Sequence, residues 1–349
     1  MQNKLITLLL LSHALMAHAA DNDQMPLVQS ALSPLSQNDD LNRSGMQFIT
    51  DTINPVHNGA LAGAEPQLIS EANNLKQNEE LSSAVLKFAS MPKMRSSIVL
   101  IYDENGKQAL HSKNANVVAP IASITKLMTA MVVLDAKLPL DEEISISPLD
   151  INLQKRASSR TRTGMTMTRG ELLKLALMAS DNLSAAALAR TYPGGTEAAL
   201  AQMNAKARNL GMGSTRFLEP TGLSSGNVST AHDLVKMVRA AQSYELINQY
   251  STLQSHTLEQ AGHRPLRFNN TNPLVRNASW DIGLSKTGYI NEAGRGLVME
   301  AKIRERPVII VLLDSSGKNS RVGDANRVKK WMESASVRGS RPKSMKFDA

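Results

Sequence analysis

Apolar positions recur at helical spacing over residues 123–135, where Ile124, Leu127, Met128, Met131 and Leu134 share one face of a helix opening at Ser123. A second apolar helix opens at Thr168. There Thr168 and Glu171 form a capping box ahead of Leu172, Leu175, Ala176 and Ala179. Ala-rich helical patterning continues to the region of Gly211, and a further helix begins near Thr230. Extended patterns flank this helical stretch. Residues 97–102 form a short β-like run followed by Asp103-Glu104-Asn105-Gly106, whose Asn-Gly pair signals a hairpin. Residues 282–290, 296–303 and 307–314 also read as strands, and the unbroken apolar run 308–313 suits a central strand covered on both faces. A last helix is expected over about 325–336. The order hairpin, helices, three strands, helix predicts an α/β (α+β) fold. One antiparallel sheet is built from both ends of the chain, with an all-helical insertion between them.

The segments outside this pattern carry different signals. Lys4, an apolar stretch over 5–16 and Ala17-His18-Ala19 have the order of a cleaved signal peptide, residues 1–19, which predicts a periplasmic protein. Residues 20–95 are rich in Asn, Gln, Ser, Ala and Pro and read as an extension or linker, with a helix near 68–88. The folded catalytic domain is then 96–337, and 338–349 is a basic tail. That tail has Met345 and Phe347 as its bulky apolar groups, too few for an anchoring stripe, so its charge allows only loose membrane association. Aromatic residues make up 3% of the chain against 42% hydrophobic, so aliphatic and Met side chains must fill the core. There is no cysteine, which excludes disulfides and thiol chemistry in an exported protein. A net charge of +8 draws the protein to anionic surfaces. It is spread along the chain without aromatic interleaving, so no nucleic-acid partner is expected.

Three short motifs carry the candidate chemistry. Ser-x-x-Lys occurs at Ser90, Ser123, Ser315 and Ser340, but only Ser123-Ile124-Thr125-Lys126 opens an apolar-striped helix. Residues three apart share a helix face, so Lys126 can reach the Ser123 hydroxyl. An unpaired N–H at a helix start can also stabilise an oxyanion. Ser180-Asp181-Asn182 closes one helix ahead of another; Ser180 could pass a proton to a leaving amine and Asn182 could hold a carbonyl. Lys286-Thr287-Gly288 lies in a predicted strand, where a cation and a hydroxyl could bind a terminal carboxylate. Gly288 would let substrate approach a strand edge open to β-augmentation. Lys286 is further expected to discourage a proton on Lys126, helping it act as a neutral base.

In this order, and with Pro120 to Ala136, Glu219-Pro-Thr-Gly-Leu223, Asn270-Thr-Asn272 and Tyr289, the chain resembles the β-lactamase and penicillin-binding superfamily. The resemblance is greatest to low-molecular-mass D-alanyl-D-alanine endopeptidases of the penicillin-binding protein 7 type, and covers about 96–336. It implies Ser123 as nucleophile, Lys126 as general base, and Ser180 and Asn182 as a second wall. Lys286, Thr287 and Gly288 would form the third, with Tyr289 N–H joining Ser123 N–H as the oxyanion hole. It implies cross-linked stem peptides of peptidoglycan as substrate, β-lactam antibiotics as covalent ligands, and no metal or organic cofactor. A D,D-carboxypeptidase, a serine β-lactamase and a non-catalytic wall binder are the rivals. Against the lactamase, Glu219 is read as structural. Gly222-Leu-Ser-Ser-Gly226 matches a nucleophile elbow but follows Pro-Thr-Gly turn chemistry rather than a strand. The Lys155-Arg156 and Arg160-to-Arg162 cluster reads as a solvated loop, or as a grip on diaminopimelate carboxylates.

Overall fold

The computed structural model describes residues 86–87, 90–151, 159–259, 264–334 and 336–337, all within one compact unit. The signal segment, most of the extension, the 152–158 part of the basic cluster and the basic tail lie outside the described residues.

In chain order the strands before the first helix are β1 (Leu86–Lys87), β2 (Ser96–Asp103), β3 (Gln108–Lys113) and β4 (Ala119–Pro120). A 3-10 turn, Ala122–Thr125, leads into α1 (Lys126–Asp135). The short strands β5 (Glu143–Ser145) and β6 (Thr166–Thr168) precede α2 (Arg169–Lys174), a π-turn at Leu175–Ala179, α3 (Asn182–Arg190) and α4 (Gly195–Asn209). Then come β7 (Val228–Ser229), α5 (Ala231–Gln242), α6 (Glu245–Thr252), β8 (Ser255–Leu258) and β9 (Leu266–Asn269). The chain finishes with β10 (Asp281–Ile290), β11 (Gly294–Ile303), β12 (Arg306–Ser315), α7 (Ser320–Glu333) and β13 (Ser336–Val337).

The central sheet has the order β10-β11-β12-β2-β3 with every pairing antiparallel, so both parts of the chain contribute as the pattern predicts. Strand alternation divides the core in two. Ile309, Val311 and Leu313 face the helical insertion, packed with Ile98, Leu100 and the α1 side chains. Val308, Ile310 and Leu312 face the other way, against Ala325, Val328 and Trp331 of α7. Methionine does much of the filling on the helical side, where Met128, Met131, Met178, Met203 and Met237 are fully enclosed, a flexible substitute for scarce aromatic rings.

Several elements differ from expectation. The helix anticipated over 68–88 lies outside the described residues except at Leu86–Lys87, which are extended and pair with Ser336–Val337. Folded structure therefore begins before residue 96, and Met94 adds to the α7-side core. The β2–β3 hairpin forms, but its left-handed residue is Lys107 (φ 49°) rather than the Asn-Gly pair, and Asp103 Oδ1 accepts from Asn105 N at 3.2 Å. Helix α7 starts at Ser320, earlier than 325. Its apolar residues there are sparse, and Arg321 and Asp324 are buried for other reasons.

Candidate active site

The segment before Ser123 is fixed from two sides. Ala119–Pro120 pairs with Val228–Ser229, and Ile121 N donates to Asn227 O at 3.0 Å. Ala122 then takes a left-handed conformation (φ 48°), which turns the chain sharply. Ser123 consequently sits on the 3-10 turn, half-buried, and the α-helix proper starts at Lys126 rather than at the serine. Two glycines make the turn possible. A Cβ on Gly222 (φ 84°) would stand 2.0 Å from Ala122 O and 2.7 Å from Ser123 N. One on Gly288 would meet Ile121 O at 2.8 Å and Ala122 Cβ at 3.1 Å. Strand β10 and the 219–227 loop thus close on the Ser123 backbone as tightly as bare backbones allow.

Lys126 is fully buried, and its Nζ has three oxygen neighbours: Ser123 Oγ at 2.9 Å, Asn182 Oδ1 at 2.7 Å and Thr221 O at 2.6 Å. Two of them, the side-chain carbonyl and the backbone carbonyl, only accept. A neutral amine can satisfy both with its two N–H bonds and turn its lone pair to the Ser123 hydroxyl. Burial supplies the bias towards that state. It pulls Lys126 from 10.5 down to about 8, against the opposing carboxylates of Glu219 and Asp181. Burial, rather than the expected repulsion from Lys286, is the leading cause. Lys286 is itself held well below the ordinary lysine range, by burial first and then by the charges of Lys126 and Arg321.

The Ser180 wall rests on a distorted helix end. The π-turn at Leu175–Ala179 widens the last turn, Asp181 N reaches back to Leu175 O at 3.1 Å, and Ser180 stands in the left-handed region at φ 58°. Asp181 holds this geometry. Its carboxylate caps α3 through Ser184 N (2.9 Å) and Ser184 Oγ (2.8 Å), and also accepts from Thr161 Oγ1 (2.7 Å) and Ser159 Oγ. Across the cleft, Lys286 Nζ donates to Ser180 Oγ at 2.8 Å and to Thr287 O at 3.0 Å. Thr287 Oγ1 donates to Thr271 Oγ1 at 2.7 Å. All three motifs therefore converge, as two serine–lysine pairs joined by Asn182. Tyr289 follows on the exposed end of the strand, its ring beneath Arg295 and its hydroxyl on Asn291 Oδ1 at 2.9 Å.

Sequence reasoning missed several supporting groups. Arg321 of α7, almost buried, donates to Gly288 O at 2.7 Å and Gly296 O at 3.0 Å, bracing β10 from behind. Burial, aided by Arg295, lowers it to about 10. No local signal marks it, because its partners are backbone oxygens 25 or more positions away. Asn227 and Glu219 organise the loop beneath Ser123. Glu219 accepts from Thr221 N (2.7 Å), Thr221 Oγ1 (2.5 Å), Gly222 N (2.5 Å) and Ser224 N (3.2 Å). Asn227 Nδ2 adds Glu219 O at 2.8 Å and Thr125 Oγ1 at 3.1 Å. The nucleophile-elbow decoy is part of this loop; Ser224 Oγ accepts from Gly226 N at 3.1 Å and opens no helix. Among the described residues no helix is long and apolar enough to cross a membrane, and no cluster of three metal-binding side chains occurs.

Comparison with known proteins adds an independent line. The D-alanyl-D-alanine carboxypeptidase family matches residues 85–317. A D-alanyl-D-alanine endopeptidase of Pseudomonas aeruginosa is 47% identical over 245 residues, spanning 70% of this chain and 79% of the relative. One from Escherichia coli is 45% identical over 256 residues, spanning 73% and 83%. Among solved structures, the Streptomyces K15 DD-transpeptidase superposes with a TM-score of 0.65 at 26% identity, covering 70% of this chain and 98% of that one. Penicillin-binding protein D2 from Listeria monocytogenes, in its cefotaxime-bound form, gives 0.60 at 25% identity, covering 68% and 97%.

Proposed function

The chain belongs to the D-alanyl-D-alanine carboxypeptidase family and is a serine DD-peptidase, and from that premise we propose that it is a periplasmic endopeptidase acting through Ser123. It cuts the D-alanyl–diaminopimelate cross-links of peptidoglycan. The observation that carries this reading is the contact of a buried, easily neutralised Lys126 amine with Ser123 Oγ. Lys126 takes the hydroxyl proton as Oγ attacks the D-alanyl carbonyl. The N–H groups of Ser123 and Tyr289 receive the oxyanion. The proton passes by way of Ser180 to the departing diaminopimelate nitrogen, and the C–N bond breaks to leave a serine ester. Water then attacks that ester, gives a proton back through Lys126, and releases the D-alanyl carboxylate and free Ser123. Asn182 orients the acyl side, and Thr287 with Lys286 receives the carboxylate on the leaving side.

A β-lactam follows the same first step and stops at the ester. The bonds already made by Glu219 support its structural role, since its oxygens are engaged by five donors of its own loop. Export rests on the apolar start of the chain, and the charged tail would add attraction to anionic headgroups. The test is digestion of purified cross-linked muropeptide with the protein and with Ser123→Ala, alongside mass spectrometry after exposure to benzylpenicillin. Conversion of dimer to monomers, and a lasting adduct on Ser123, are expected. Release of terminal D-alanine alone would make it a carboxypeptidase, rapid loss of the adduct a lactamase, and no adduct a binder.

A further inference from the structure

Arg160 belongs to none of the three motifs, yet the fold fastens it beside them. Its neighbours on both sides, Ser159 and Thr161, donate to the carboxylate of Asp181, the residue between Ser180 and Asn182. Thr161 and Asp181 are buried, so the backbone of Arg160 is pinned to the second wall of the cleft. Its side chain is exposed and also held. The guanidinium lies over the Phe268 ring, 5.8 Å from its centre, and Nη1 donates to Arg267 O. Phe268 is buried in β9, and Arg267 beside it is exposed on the opposite face of the strand. Among the described residues, neither Arg160 nor Arg267 is paired with a carboxylate. Asp181 is followed directly by Asn182, the residue on the acyl side, whose Oδ1 accepts from Lys126 Nζ at 2.7 Å.

We infer that Arg160 forms a subsite for the free side-chain carboxylate of the diaminopimelate on the acyl-donor side of the cross-link. The inference rests on the endopeptidase reading. A guanidinium already stacked and hydrogen-bonded through one nitrogen has lost much of its freedom before the ligand arrives, and still has unused donors for a planar carboxylate. Benzylpenicillin lacks this group and reports on the machinery without the subsite.

The experiment compares two synthetic cross-linked dimers, one with that carboxylate free and one with it amidated, on the wild type and on Arg160→Gln. The wild type should show a KM roughly five- to tenfold lower for the free form, with kcat nearly equal, as befits one exposed charge-assisted contact. Arg160→Gln should erase that preference while leaving penicillin acylation of Ser123 unchanged. A wild type that treats the two dimers alike overturns the subsite, whether or not the variant folds. So does an Arg160→Gln protein that acylates normally and keeps the preference. If the wild type cuts neither dimer but trims D-alanine from monomeric pentapeptide, the endopeptidase reading fails. The free-against-amidated comparison on the pentapeptide then decides the subsite alone.

Discussion

The acidity of Lys126 sets the pH profile of acylation. An ordinary lysine at 10.5 is neutral in about one molecule in three thousand at pH 7, whereas lowering it to about 8 brings that to about one in ten. Burial in this pocket therefore multiplies the reactive form at neutral pH by roughly 300, of which the lower basicity of the amine returns a part. The second-order rate of benzylpenicillin acylation, followed by stopped-flow quenching, should climb nearly tenfold per pH unit below about 7 and flatten above about 8. Lys126→Arg provides the control, since a guanidinium stays charged throughout. It should acylate at least a hundredfold more slowly, with no rise over that range. A wild-type rate that is constant or falling between pH 6 and 8 would refute the neutral-amine mechanism. A midpoint near 10 would show that the pocket does not shift the amine as its burial requires.

Other expectations are structural. Gly222→Ala should lower stability by about 3 kcal/mol or more in denaturant unfolding and abolish penicillin labelling, because the added methyl overlaps the Ala122 carbonyl and the position is left-handed. Asp181→Ala removes the acceptor of Ser159, Thr161 and Ser184, and should cost about 2 kcal/mol while slowing acylation. Asp181→Asn, which keeps part of the cap, should lie between. Glu300 is pushed up chiefly by burial, with Asp281 adding to it, so its folded form keeps a proton to higher pH than the unfolded chain does. Its charge costs stability that is absent below the unfolded value of 4.5 and grows as pH rises through the folded one. Glu300→Gln should therefore raise the melting temperature at pH 7.5 and leave it unchanged at pH 4.

The sheet and the three motifs were readable because each rests on local pattern. Period-two and continuous apolar runs specify β2, β10, β11 and β12, and the motifs sit at element boundaries that caps and turns announce. The π-turn before Ser180 was not readable, because a single inserted residue leaves the helical periodicity of 172–179 almost intact. Nor was the 3-10 start at Ser123, which depends on Gly222 and Gly288 arriving from distant parts of the chain. The dominance of burial over lysine–lysine repulsion needed both amines enclosed, a property of the assembled cleft. Arg321 is the clearest omission. A buried cation serving two backbone carbonyls has no signature in a tail-end helix whose other residues are ordinary.

Strand β10 lies at the margin of the sheet, with β11 as its only sheet neighbour, and its Lys286–Gly288 stretch passes beside Ser123. A ligand laid along it becomes, for the length of one turnover, a sixth strand. Most backbone groups of a folded protein are already paired, so an extended, unpaired peptide is the natural occupant of such an edge.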